Sequence, residues 1–169
     1  VGQAVALGLC DPRKPLTGLP GWGNGSFGLH SDDGRAYSHR FSGVGADFTA
    51  PFSVGDTLGL LWNVHDSRVL FTRNGKSLGA AFKNVCGTFA PIVALSGGSV
   101  VEANLGHMPF VFDLAAFLPT IGASLPERQL SEAVGDGSNR DFLSDMQLVA
   151  GETLSLLRTL SGAATVRNV

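Results

Sequence analysis

Four groups of residues have types and spacings that could carry chemistry. Gly23, Gly25 and Gly28, within GWGNGSFGLHSDDG, satisfy the G-x-G-x-x-G spacing of a dinucleotide-binding turn. Such a turn needs a strand before it and a helix after it, because the pyrophosphate sits on the N–H groups of the helix N-terminus. Here a proline-broken Leu16-Thr17-Gly18-Leu19-Pro20 precedes it, and Phe27 to Gly34 is too rich in glycine and turn residues to hold a helix. The glycines are read instead as serving tight turns and close strand approach. Asn74-Gly75-Lys76-Ser77 resembles the end of a phosphate-binding loop, but Leu70 stands where the first glycine of that loop is required. Ser26 lacks the flanking glycine of a nucleophile elbow, since Asn24 occupies that place. His30, Asp32 and Asp33 are the tightest cluster of potential metal ligands, and in an extended segment His30 and Asp32 would share a side. No further histidine or cysteine lies at ligand spacing, so Asp32-Asp33-Gly34 reads as a turn whose carboxylates accept from backbone donors. No catalytic residue, cofactor or resident metal is expected.

The elements that must position any site are strands. The 169 residues include 23 glycines and 8 prolines, with 44% hydrophobic and only 15% charged, the profile of a compact, turn-rich domain. A net charge of -2, with Arg13-Lys14 as the longest basic run, offers no footprint for phosphate backbones, so no nucleic-acid partner is expected. No apolar run approaches the about 18 residues of a membrane span, and no membrane insertion is expected. Cys10 and Cys86, far apart and in no paired motif, read as buried thiols of a reducing compartment.

Strands are expected at Val5 to Leu9, Ser26 to His30, Thr57 to Val64, Arg68 to Arg73, Lys76 to Ala80, Ala90 to Leu95 and Val100 to Leu105. Leu58, Leu60, Trp62 and Val64 alternate on one face, as do Val69 and Phe71 after a turn at His65-Asp66-Ser67. Asn74-Gly75 suits a type I′ turn, so a meander follows. Trp22 and Trp62 are expected to fill the core. Residues 1–117 are expected to form the β domain, 118–139 a linker, 140–161 an amphipathic helix and 162–169 a tail. The helix presents Phe142, Met146, Val149, Leu156 and Leu160 on one face, which could pack in cis or dock on a partner.

LPGW at Leu19 to Trp22, SFGLHSDDG, GDTLG at Gly55 to Gly59, FTRNGKSLGAAF at Phe71 to Phe82 and VEANLGHMPFVFDL at Val101 to Leu114 occur in one order. This series resembles the SPRY domain, most closely the type found in Ran-binding proteins 9 and 10 and in the GID/CTLH ubiquitin ligase. The resemblance covers roughly residues 3–117 and implies an all-β, bent antiparallel β-sandwich of concanavalin-like form, with a C-terminal helical extension and N-terminal strands missing before Val1. It implies a non-enzymatic interaction module that binds short peptide motifs or other protein subunits, as subunit or adaptor of a hetero-oligomeric assembly. That assembly would be cytoplasmic, of the ubiquitin-ligase scaffold type or in the cytoskeleton or cilium. By position in the family pattern, Tyr37 and the loop Ser96-Gly97-Gly98 would contact the ligand, with Arg13 and Lys14 on the same rim. The alternative is a lectin-like binder of small ligands or carbohydrate, which would expose Trp22 or Tyr37 beside Asp32.

Overall fold

The structure, a computed structural model, describes residues 4–15, 18–23, 25–39, 44–121 and 163–166. Its strands are β1 (Val5–Cys10), β2 (Ser26–His30), β3 (Arg35–Ser38), β4 (Ala46–Asp47), β5 (Thr57–Asn63), β6 (Arg68–Arg73), β7 (Lys76–Phe82), β8 (Ala90–Leu95), β9 (Val101–Asn104) and β10 (Ala163–Val166). They build two five-stranded antiparallel sheets, β4-β3-β2-β1-β8 (sheet A) and β7-β6-β5-β10-β9 (sheet B). The expected all-β sandwich is what forms.

Period-two alternation sends one set of side chains from each sheet into the space between them. Sheet A contributes the row Leu7, Leu29 and Ala36, which lie opposite one another, and the neighbouring Leu9 and Phe27. Sheet B contributes Leu58, Leu60, Trp62, Val69, Phe71 and Phe82. Each large side chain buried here stabilises the fold by about 1.5–3 kcal/mol. Trp62, as expected, is core, its indole N–H donating to the Val85 carbonyl at 3.2 Å.

The turns follow from local chemistry. Asn74 and Gly75 take φ of 52° and 76° and join Arg73 to Lys76 as the two-residue hairpin that Asn-Gly favours. Between β5 and β6, the Asn63 side chain accepts from the backbone N–H groups of His65 and Asp66 and closes the longer turn. Past β9, Asn104 organises the next bend, accepting from Gly106 and Met108 N–H and donating to the carbonyls of Met108 and Pro109.

Several features depart from the sequence expectation. β3 and β4 are additional strands, too short for a periodic signal. The helix α1 (Leu114–Phe117), capped by Asp113 accepting from Ala116 N–H, lays Leu114 and Phe117 over Leu61 and Leu70 on the outer face of sheet B. Sheet B is therefore covered on both sides there, which is why TLGLLWN is more apolar than strict alternation allows. Cys86 is exposed, in the loop after Val85 plugs the core, and Cys10 is only half-buried, so the reading of both as buried thiols is corrected. Within 162–169, read as a tail, Ala163–Val166 is the strand that joins β5 to β9, pairing Ala163 with both Gly59 and Asn104. The linker beyond Ile121 and the helical face of Phe142, Met146, Val149, Leu156 and Leu160 lie outside the described residues.

One ionic cluster clamps the loop before β5 to the β6 end. Arg73 donates from Nε and Nη2 to the two oxygens of Asp56 (3.1 and 2.7 Å), and its Nη1 reaches the carbonyls of Ala50 and Pro51. Asp56 also accepts from Asn74 Nδ2 and Ser53 N–H. The Arg73 hydrogen bonds are the main reason its carboxyl is held down at about 2. A depressed folded-state pKa contributes stability that is fully present above the unfolded value of about 3.9 and is lost as pH falls through the folded one. Asp56→Asn should therefore lower stability by roughly 1–2 kcal/mol at pH 7. In denaturant titrations at a series of pH values, its deficit against the parent should shrink between about pH 4 and pH 2. A deficit independent of pH would contradict this assignment.

Candidate functional site

Tyr37 sits on β3 with its side chain on the outer face of sheet A, because its neighbours Ala36 and Ser38 turn inward. Gly28 lies opposite it on β2. The segment Leu19 to Trp22 crosses this face so closely that a Cβ on Gly28 would meet the Pro20 carbonyl oxygen at 2.3 Å, and one on Gly21 would meet Tyr37 O at the same distance. Only glycine fits at both places. The crossing closes over His30, which is 1% exposed and donates from Nε2 to the Pro20 carbonyl at 2.8 Å. Tyr37 stacks on His30 with ring centroids 4.1 Å apart, and Trp22 tilts over it at 5.7 Å.

Trp22 is thus not a core residue as expected. It is 56% exposed, because the lid it belongs to runs on the outside of sheet A and its indole caps His30. The role of His30 was itself missed. The available signal was the alternation of Phe27 and Leu29 inward, which aims residue 30 at the outer face.

The Tyr37 hydroxyl donates to Asp33 Oδ2, while Asp33 Oδ1 accepts from Arg35 N–H at 2.9 Å. Asp33 belongs to the β2–β3 turn, so the expected turn role holds for Asp33, which also fixes the tyrosine. That hydrogen bond, with desolvation second, pushes the Tyr37 phenol up to about 12. The turn lies against the start of β1: Val5 and Ser31 exchange two hydrogen bonds, Ser31 N–H to Val5 O and Val5 N–H to Ser31 Oγ. The Ser96 loop joins the same end. Ser96 N–H donates to Ala4 O, and its Oγ accepts from Ala4 N–H at 2.8 Å. Gly97 and Gly98 turn outward with φ of 65° and 78° and are exposed. The structure therefore brings the Tyr37 hydroxyl, Asp33 and the Ser96-Gly97-Gly98 loop to one end of sheet A. The Ser96 hydroxyl is committed to the Ala4 backbone, and the two exposed glycines after it bring no side chain to the surface.

Arg13 and Lys14 are not on this rim. β1 runs from Val5, paired with Leu95, to Cys10, paired with Ala90, and the basic pair follows Cys10. At about 3.4 Å per residue the two ends are separated by roughly 17 Å of strand. At the far end Asp11 is bound by Arg13 through Nε and Nη2 at 2.9 and 3.0 Å. Among the described residues no group of three or more His, Cys, Asp or Glu side chains converges as a metal site, and no helix is long and apolar enough to cross a membrane.

The SPRY domain family model matches residues 2–108. The chain is 38% identical over 115 residues to Ran-binding protein 9 of Xenopus tropicalis, covering 68% of this chain and 21% of that protein. It is 33% identical over 137 residues to Ran-binding protein 10 of Danio rerio (78% and 22%) and 36% identical over 115 residues to Ran-binding protein 9 of Homo sapiens (68% and 16%). The chain spans about a fifth of the length of the curated relatives it matches. Among solved structures, a human SPRY domain shares 28% identity with a TM-score of 0.42, over 56% of this chain and 62% of that one.

Tyr37 is the one tyrosine of the chain, so phenolate absorbance at 295 nm reports it alone. The folded protein should titrate at about 12, against about 10 when unfolded. The raised value contributes stability present below about pH 10 and lost as pH rises through about 12. Tyr37→Phe should cost about 1 kcal/mol at pH 7. A folded midpoint at the unfolded value would refute the Asp33 contact.

Proposed function

The chain belongs to the SPRY family, and on that premise we propose that it is a non-enzymatic protein-interaction module whose ligand-gripping surface is the Tyr37 end of sheet A. The observation that supports this most is a rim that is stiff underneath and open above. Ser31 and Ser96 are hydrogen-bonded to Val5 and Ala4 at the start of β1, and Asp33 to Tyr37 on β3, while Gly97 and Gly98 are exposed and bring no side chain of their own. A rigid rim loses little conformational entropy on binding, and exposed main chain suits an extended peptide. The finer reading is a cytoplasmic subunit or adaptor of a larger assembly, of the GID/CTLH ubiquitin-ligase type or cytoskeletal or ciliary. It rests on the resemblance to Ran-binding proteins 9 and 10.

One observation favours a second reading. Trp22 stands exposed over His30 beside Tyr37, as a lectin-like sugar platform would require. Glycan-array binding that is lost in Trp22→Ala and kept in Gly98→Arg would select it.

Selection of displayed random peptides on the intact chain should yield a short consensus. Gly98→Arg, which sends a long side chain into open space beside the loop, should weaken that peptide at least tenfold, and Tyr37→Phe several-fold, with unfolding still cooperative. A consensus peptide indifferent to both substitutions would remove the rim from consideration.

A further inference from the structure

The end of sheet A opposite Tyr37 holds a cavity of about 240 Å³. Its floor is aromatic: Phe27, 3% exposed, and Phe89 meet edge to face at 5.5 Å, and His39 lies edge-on to Phe27 at 6.1 Å. One wall is cationic, from Arg13 and Lys14, and the other is the Cys86-Gly87-Thr88 stretch before β8. The basic wall is built rather than draped. Asp11 is 7% exposed, its N–H donates to Gly25 O at 2.8 Å, and its carboxylate accepts from the Arg13 backbone N–H at 3.1 Å and twice from the guanidinium. Lys14 N–H donates to the Asp11 carbonyl, completing the turn. The lysine stem then lies across Gly25, where a Cβ would come within 2.8 Å of its Cδ and 3.3 Å of its Nζ.

The charges do not balance. Asp11 satisfies Arg13, and among the described residues no carboxylate forms an ion pair with Lys14. Among the described residues that line the pocket, one positive charge is left over, at the mouth of a cavity whose floor is apolar. The volume is below the about 300–1,000 Å³ of small-molecule pockets, a size for one side chain rather than a cofactor. Two cations, one already neutralised, are too few for a nucleic-acid backbone, whose recognition needs several phosphate contacts.

We propose that this cavity is a second recognition site, for an acidic peptide segment that seats one apolar or aromatic residue on the floor formed by Phe27, Phe89 and His39 and sets a neighbouring carboxylate on Lys14. The aromatic floor supplies burial for the anchor, and the Lys14 ammonium supplies orientation and discrimination against neutral sequences. The site is independent of the Tyr37 rim, so one module can hold two segments of a partner or two partners at once.

The test is a titration of the isotope-labelled intact chain with acetyl-Asp-Phe-Asp-Glu-amide, followed by amide chemical shifts. Saturable shifts are expected at Lys14, Gly25 and Thr88 and none at Gly97 or Gly98. Acetyl-Asn-Phe-Asn-Gln-amide should bind at least tenfold more weakly. Lys14→Glu should weaken the acidic peptide by at least tenfold, Lys14→Arg should restore it to within a few-fold, and Tyr37→Phe should leave it unchanged. The shift spectrum itself shows that each variant is folded. Equal binding of the two peptides, shifts confined to the Gly97 end, or the same shifts produced by inorganic phosphate would each overturn the proposal. Loss of binding at the Tyr37 rim with this site intact would count only against the function proposed above.

Discussion

The contact on which the molecule turns is made by Phe27. From β2 in sheet A it crosses the interior to Phe82 of sheet B at 5.1 Å and to Phe89 at 5.5 Å, and Phe89 in turn meets Trp62 at 5.4 Å. Such tilted and edge-to-face pairs add about 0.5–1.5 kcal/mol each beyond their buried area. More consequential is their geometry, because interlocked rings fix the two sheets in one mutual position and forbid sliding. The loop 83–89 is tethered by the same cluster, through Val85 in the core and its carbonyl on Trp62.

Both sheets are also roofed on part of their outer faces, by different means. Over sheet A the roof is backbone: the Leu19 to Trp22 crossing lies directly on strand main chain, with His30 and Tyr37 filling what space remains. Over sheet B it is side chain: Leu114 and Phe117 of α1 cover Leu61 and Leu70. A small apolar cleft of about 40 Å³ remains under Phe110 to Leu114, beside Leu60 and Leu61.

How much of this was legible in the sequence follows from the range of each signal. Hairpins β5–β6 and β6–β7 are local, and alternation with an Asn-Gly turn specified them nearly to the residue. Tyr37 and the Ser96 loop were placed at one rim by family pattern, and the structure does bring them to one end. Their separation from Arg13 was not legible, because it depends on which end of β1 each loop leaves. Trp22 misled for a physical reason. A large apolar ring argues for burial, yet the lid takes its burial from Gly21 and Pro20 and leaves the indole as a cap. Asp33 looked like any turn carboxylate, since nothing local announces that a tyrosine four residues on will reach back to it. β10 was invisible because AATV carries no period of its own and acquires its partners only in the assembled sheet.

That last strand has a consequence for biogenesis. Among the described residues β9 joins sheet B only through β10, and β10 pairs with β5 across roughly a hundred residues of chain, a high-contact-order step. A ribosome releases the chain from its N-terminal side at about 5–20 residues per second, so Val101–Asn104 emerges roughly 3–12 s before its neighbour exists. Throughout that interval the nascent sheet offers two raw strand edges to chaperones and to other nascent copies, and the sandwich reaches its finished hydrogen-bonding only after translation has passed residue 166.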